Sequence, residues 1–177
     1  MTRVIWCTSF VAMLGVAGLG SRNMMPTPAR AEQTFVTGFA SKEELVKGLL
    51  DALERQDLEA LRRLRITESE YKDIILPGHV PVGQEFRRYR SEVSDFAWRT
   101  LNTKSLYYER YLLSLHGGRH YELKDVRFER GTADYAGYSA HKQLRLSLTH
   151  GGAPGSIATG SIVEVGGRYK FASFIRD

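Results

Sequence analysis

The end of the chain carries the clearest structural signal, since residues 160–171 read GSIVEVGGRYKF. Gly166 and Gly167 stand between two runs in which apolar residues alternate with polar ones. Two glycines between such runs are typical of a tight β-hairpin. We therefore expect one strand over residues 156–165 and a second over residues 168–175.

The segment before this hairpin repeats the alternating pattern. Leu144, Leu146 and Leu148 recur at every second position, which predicts a strand with one buried face. By the same parity His141 and Gln143 belong to the opposite face, which we expect to be solvated.

An earlier strand is predicted over residues 121–128. Its apolar residues change face between Leu123 and Val126, so we expect a β-bulge there. Residues 151–152 and 154–155 contain glycine and proline and predict turns. The second half of the chain is therefore expected to be an antiparallel meander.

Helix signals fill the first half of the chain. Ser41 with Glu44, and Thr67 with Glu70, have capping-box spacing, and Asp57 can cap a short helix between them. Three arginines of that short helix are expected to point outward: Arg62, Arg63 and Arg65. A long helical region is expected over residues 84–115. The order of elements predicts an α+β fold, with N-terminal helices packed on a curved antiparallel sheet.

The N-terminus has the features of an export signal. Arg3 precedes an apolar run over residues 4–19, and Ala29-Arg30-Ala31 fits the small-x-small cleavage pattern. The run is short against the ~20 residues that span a bilayer. We expect a signal peptide over residues 1–31, an N-terminal arm over 32–40 and one domain over 41–177, with a periplasmic or secreted location.

Loss of this leader changes the charge of the chain. Three arginines and no acidic residue lie in residues 1–31, so the net charge falls from +5 to +2. A nucleic-acid partner is therefore not expected. The single cysteine, Cys7, also lies in the leader, and the bulky Trp6 before it is unlike a lipoprotein site, so neither a disulfide nor a lipid anchor is expected.

The capped helices, the aromatic-rich helical region and the closing hairpin together resemble the nuclear transport factor 2-like superfamily, in particular an exported bacterial branch. The resemblance covers residues 41–175, and its most specific part is the hairpin. It implies a curved sheet wrapped around helices, forming a cone whose open end can hold a small molecule. The superfamily includes isomerases, hydratases, cyclases, binding modules and interaction domains, so the resemblance does not choose a function.

Few residues suggest catalysis or metal binding. His116 and His120 are four residues apart, but Gly117-Gly118 interrupts the helix that a shared ligand face would need, and neither a metal nor another cofactor is expected. His141 in a cone mouth is a candidate base, and Asp95 is a candidate acid if it is partly buried. Solvent exposure is the competing interpretation for both.

Aromatic residues are the better candidates for a binding role. Trp98, Tyr138 and Tyr71 could line an apolar pocket, because such rings combine a large flat surface with a polar edge; a place in the core is the alternative.

Two functions remain open. The first is an exported, non-catalytic module that binds a small apolar or amphipathic ligand or a protein partner, with a homodimer through the sheet face as one form of partner. The second is an isomerase- or cyclase-like enzyme acting on a small hydrophobic substrate.

Overall fold

Helices form the first half of the described chain. A computed structural model describes residues 34–82 and 91–176, which belong to a unit that comprises Ala31–Asp177. Helix α1 (Lys42–Glu54) begins as predicted, with the Ser41 hydroxyl accepting a hydrogen bond from the Glu44 amide at 3.1 Å. The Glu44 carboxylate accepts from the Ala40 amide, one residue before the position of a strict capping box.

Two more caps are confirmed. Asp57 accepts from the Ala60 amide at 2.8 Å and starts helix α2 (Leu58–Arg63). Thr67 and Glu70 form a complete capping box at helix α3 (Glu68–Glu70). The chain continues as a π-helical turn (Tyr71–Ile75) and ends this helical run with α4 (Leu76–Gly78).

The long helix α5 (Ser91–His116) confirms most of the predicted helical region. Residues 84–90 of that prediction fall outside the described residues. The helix ends where the glycine pair predicts it, since Gly117 donates to the Leu113 carbonyl at 2.8 Å and Gly118 has a φ of 75°.

Seven antiparallel strands follow: β1 (Glu122–Phe128), β2 (Thr132–Asp134), β3 (Ser139–His141), β4 (Leu144–His150), β5 (Ala153–Thr159), β6 (Ile162–Val165) and β7 (Arg168–Phe171). They form a three-stranded sheet in the order β1-β4-β5 and a four-stranded sheet in the order β2-β3-β6-β7. Helices followed by antiparallel sheets confirm the α+β prediction.

Details of the strands agree with the sequence in part. The bulge in β1 lies between Leu123 and Asp125, and the Gly166-Gly167 hairpin joins β6 to β7. Pro154 and Gly155, which were expected in a turn, instead lie in β5, paired with β4. The turn before β5 consists of Gly151 and Gly152, both with positive φ.

The chain changes sheets three times, between β1 and β2, between β3 and β4 and between β5 and β6, so the strands do not form the single meander that alternation predicted. Gln143 has a φ of 56° between β3 and β4, and Gly160 separates β5 from β6, so the strand expected over residues 156–165 is two strands. The break at Gln143 disrupts the parity that placed His141 and Gln143 on a solvated face. Both side chains are buried, and that expectation was wrong.

Two apolar clusters hold the elements together. The first joins α1 and α2 to both sheets and contains the predicted row Leu144, Leu146 and Leu148. The second packs the π-helical turn and Trp98 of α5 against the four-stranded sheet. No helix within residues 34–82 and 91–176 is long and apolar enough to cross a membrane.

Candidate functional site

A cleft of about 710 Å³ opens between α2, α5 and β7, and we call it the cation cleft. Its volume lies within the range of small-molecule sites, ~300–1,000 Å³. Four cationic side chains line it: Arg62, Arg63, Arg65 and Lys170. Its apolar surface comes from Phe39, Ile66, Trp98 and Leu106. Its remaining polar groups come from Thr37, Thr67 and Asn102. The cleft therefore combines a cationic region with an apolar wall.

Helix α5 supplies one side of the cleft because its buried stripe is partly polar. Residues at alternating spacings of four and three form this stripe: Trp98, Asn102, Ser105, Glu109 and Leu112. This spacing keeps side chains on one helical face. The helix therefore presents an amide and a carboxylate toward the arginines of the α2 segment.

Glu109 is the anion that balances those arginines. Its side chain is fully buried, and its carboxylate lies 3.0 Å from Arg65 Nε and 3.4 Å from Arg62 Nε. Arg65 also donates to Asn102 Oδ1 at 2.8 Å. A buried carboxylate of this kind needs such partners, because an unpaired buried charge is strongly destabilising.

Burial shifts the protonation equilibria of this pair in opposite directions. Desolvation raises the pKa of Glu109, and the nearby Arg65 and Arg62 oppose that rise. Desolvation also lowers the pKa of Arg65, against the attraction of Glu109. In both cases burial disfavours the charged form, so additional negative charge in the cleft would stabilise the guanidinium of Arg65.

Lys170 is held by a second buried ion pair. Its Nζ lies 2.8 and 2.9 Å from the two carboxylate oxygens of Glu70, and it stands 5.6 Å from the centre of the Phe35 ring. Glu70 also accepts from the Thr67 amide in the capping box. One carboxylate thus caps a helix and fixes a cation at the cleft.

A smaller cleft of about 270 Å³ lies on the four-stranded sheet. Tyr138 and His79 line it, and the His79 Nδ1 lies 2.5 Å from the Tyr138 hydroxyl. The His79 ring stacks on Tyr135 with centres 4.6 Å apart. Burial raises the pKa of the Tyr138 phenol, so this hydroxyl stays protonated at neutral pH.

The predicted aromatic residues are divided between these two clefts. Trp98 lines the cation cleft. Tyr71 is not among the described residues that line either cleft, and its ring centre lies 5.5 Å from that of Trp98. Tyr138 belongs to the same apolar cluster as Trp98 but lines the smaller cleft. The expectation that Trp98 and Tyr138 line one pocket therefore does not match the structure.

The candidate acid and base lie outside both clefts. His141 is buried, with Nδ1 2.9 Å from the Thr132 hydroxyl and Nε2 3.2 Å from Glu164. Asp95 is half exposed and forms an ion pair with Lys72 at 2.5 Å. Each residue therefore has local partners and is not among those that line the cation cleft.

The two other histidines considered from the sequence have separate partners. His116 Nδ1 lies 2.9 Å from the Tyr121 hydroxyl, whereas His120 pairs with Glu54 at 3.0 Å. Within residues 34–82 and 91–176, no group of three or more His, Cys, Asp or Glu side chains is arranged to hold a metal ion.

Sequence reasoning missed the charged part of the cleft. Arg65 was expected to point outward, but it is 7% exposed because it faces Glu109 of α5. The spacing that runs from Trp98 to Glu109 could have indicated that Glu109 is buried. No comparable signal marked Lys170, since a lysine in a hairpin strand ordinarily faces solvent.

No family model matches this chain, and comparison with the curated proteins and with the solved structures finds no match. The function of the cleft is therefore argued from its own residues.

Proposed function

We propose that this protein is an exported, non-catalytic module that binds a small amphipathic molecule in the cation cleft. The observation that carries the proposal is the composition of a cleft of about 710 Å³, which is lined by the apolar side chains of Trp98 and Leu106 together with the cations of Arg65 and Lys170. An apolar wall favours burial of a hydrocarbon group, and a few placed polar groups orient the ligand.

The chemistry of the lining favours binding over acid–base catalysis. The described residues that line the cleft supply guanidinium, ammonium, hydroxyl and amide groups. General bases are most often histidine or carboxylate side chains within hydrogen-bond reach of the substrate. The two buried carboxylates that contact the cleft's cations, Glu109 and Glu70, are each bound in an ion pair.

The smaller cleft supports a second candidate function. A tyrosine that is hydrogen-bonded to a histidine, as Tyr138 is to His79, can donate a proton to a substrate oxygen and so could serve an isomerase- or cyclase-like reaction. Under this alternative Tyr138→Phe abolishes turnover of a small hydrophobic substrate and leaves binding in the cation cleft unchanged.

The proposal includes a family and a cellular location for the protein. The sequence pattern of capped helices and a closing hairpin is the basis for proposing membership of the nuclear transport factor 2-like superfamily, and the leader pattern over residues 1–31 is the basis for proposing export. A binding module outside the cytoplasm would meet its ligand in the periplasm or in the surrounding medium.

The binding proposal can be tested by tryptophan fluorescence. The chain has two tryptophans, so the full chain with Trp6→Phe reports on Trp98 alone. Titration with dodecanol or laurate, below their micelle or solubility limits, should give a saturable change in emission. We expect Leu106→Gln to weaken binding about ten-fold, because it places an amide in the apolar wall.

Leu115→Gln is the matched control for this experiment. Leu115 lies on the same helix, is 43% exposed and is not among the described residues that line the cleft. Its substitution should leave the titration unchanged. The proposal fails if neither amphiphile gives a saturable signal, or if the two variants weaken binding equally.

A further inference from the structure

Four of the seven described polar side chains that line the cation cleft are cations. Arg62, Arg63, Arg65 and Lys170 contribute only donors to the lining. None of the described residues that line the cleft is a carboxylate. A ligand head that enters this part of the cleft therefore has to offer acceptors.

Two of the carboxylates that balance these cations are exposed, since Glu59 pairs with Arg62 and Asp57 lies 3.9 Å from Arg63. The other two are buried. Glu109 is fully buried and pairs with Arg65 and Arg62, and Glu70 is buried and pairs with Lys170. The buried anions therefore hold Arg65 and Lys170 from the protein side. The described lining of the cleft contains the four cations and none of these carboxylates, so the lining itself is positively charged.

The arginines retain donors for a ligand. A guanidinium has five N–H groups. Arg65 forms an ion pair with Glu109 without a hydrogen bond from its Nε, and one of its terminal nitrogens donates to Asn102. Arg63 is 71% exposed and is 3.9 Å from Asp57, at the outer limit of an ion pair. Arg63 can therefore turn toward a ligand at little cost.

We infer that the ligand of the cation cleft is a single-chain amphiphile whose head group is an anion, such as a carboxylate. The head binds Arg63 and Arg65 through charge-assisted hydrogen bonds, which are stronger than neutral ones. The tail lies against Trp98 and Leu106. This inference rests on the proposed function and adds the charge of the ligand to it.

Three amphiphiles with the same twelve-carbon tail test the inference at pH 8, where a carboxylate is ionised. Trp98 emission of the full chain with Trp6→Phe is titrated with laurate, dodecanol and dodecyltrimethylammonium. Laurate should bind about ten-fold more tightly than dodecanol, and the cationic amphiphile should bind most weakly. Raising the salt concentration should weaken laurate binding and leave dodecanol binding unchanged.

Arg63→Gln identifies the charge responsible. It should weaken laurate binding several-fold and leave dodecanol binding unchanged. Because Arg63 is exposed, the variant should fold normally. Arg110→Gln is the matched control, since Arg110 is exposed on α5 and is not among the described residues that line the cleft. It should alter neither titration.

The outcomes separate the two proposals. Equal affinity for laurate and dodecanol, or tighter binding of the cationic amphiphile, overturns the anionic head and leaves the binding function standing. Absence of a saturable signal with all three amphiphiles overturns the binding function as well. Loss of laurate affinity in both arginine variants would assign the effect to net charge and overturn the role of Arg63.

Discussion

Lys170 illustrates how one buried charge determines local stability. Its side chain is 1% exposed, and the Glu70 carboxylate that receives it is 9% exposed. Removal of one partner from such a pair leaves an uncompensated charge in the protein interior, which costs more than the intact pair contributes. The pair is therefore a site where a single substitution has a large effect.

We expect Lys170→Met to lower the free energy of unfolding by about 3–5 kcal/mol, because methionine fills the space but leaves the Glu70 carboxylate without its cation. The double variant Lys170→Met with Glu70→Gln should recover part of this loss. Urea unfolding followed by circular dichroism measures both values.

Lys124→Met provides the control for this prediction. Lys124 pairs with Glu122 at 2.8 Å, but both side chains are more than half exposed, and exposed pairs contribute little. Its substitution should leave the unfolding midpoint unchanged within experimental error. Comparable losses at positions 170 and 124 would show that burial of the Glu70 pair has no energetic consequence.

At the scale of the elements, the passage from β5 to β6 depends on one glycine. A Cβ atom added at Gly160 would lie 2.1 Å from the Ser173 carbonyl oxygen and 2.9 Å from that of Ile175. Gly160 also accepts a hydrogen bond from the Leu144 amide at 3.0 Å. The chain can change sheets here because its backbone approaches the C-terminal segment closely.

Gly160→Ala should therefore destabilise the protein by about 1–3 kcal/mol or more, since the backbone of β6 or of the C-terminal segment has to move. Gly155→Ala is a matched control in β5, because a Cβ there meets no atom within 4 Å. It should be neutral or slightly stabilising. If thermal unfolding shows equal losses for the two variants, the close approach at Gly160 is not what constrains this crossing.

These elements show what the sequence could predict. Caps at Ser41, Asp57 and Thr67 and the row of leucines in β4 depend on local spacing, and the structure confirms them. The chain changes sheets at Gln143 and Gly160 because of contacts with segments far along the chain. The alternation of apolar and polar residues cannot predict such long-range contacts.

In the candidate site, too, only part of the lining could be predicted from the sequence. Trp98 was predictable because large aromatic residues are common in binding sites. Arg65, Glu109 and Lys170 were not predicted, because charged residues are seldom fully buried unless they are paired. The pairs join the segment after α2 to α5, and α3 to β7, and only the fold brings these segments together.

At the scale of the whole molecule, both apolar clusters join residues that are far apart in the described chain. The first extends from Leu45 to Phe174 and the second from Phe35 to Val165. The ion pairs at the cation cleft also join residues within these limits. The described elements thus supply one another with apolar contacts and with charge partners.

Cleavage after Ala31, as proposed, would remove none of the described members of these clusters. A chain that begins at Glu32 should unfold cooperatively, with a free energy of unfolding within about 1 kcal/mol of the full chain, because it keeps both clusters and both buried ion pairs. Urea unfolding of the two chains measures the difference. Mass spectrometry of the protein from its native host should find an N-terminus at or near Glu32. A much less stable short chain would show that residues 1–31 contribute to folding, and an intact Met1 on a cytoplasmic species would contradict export.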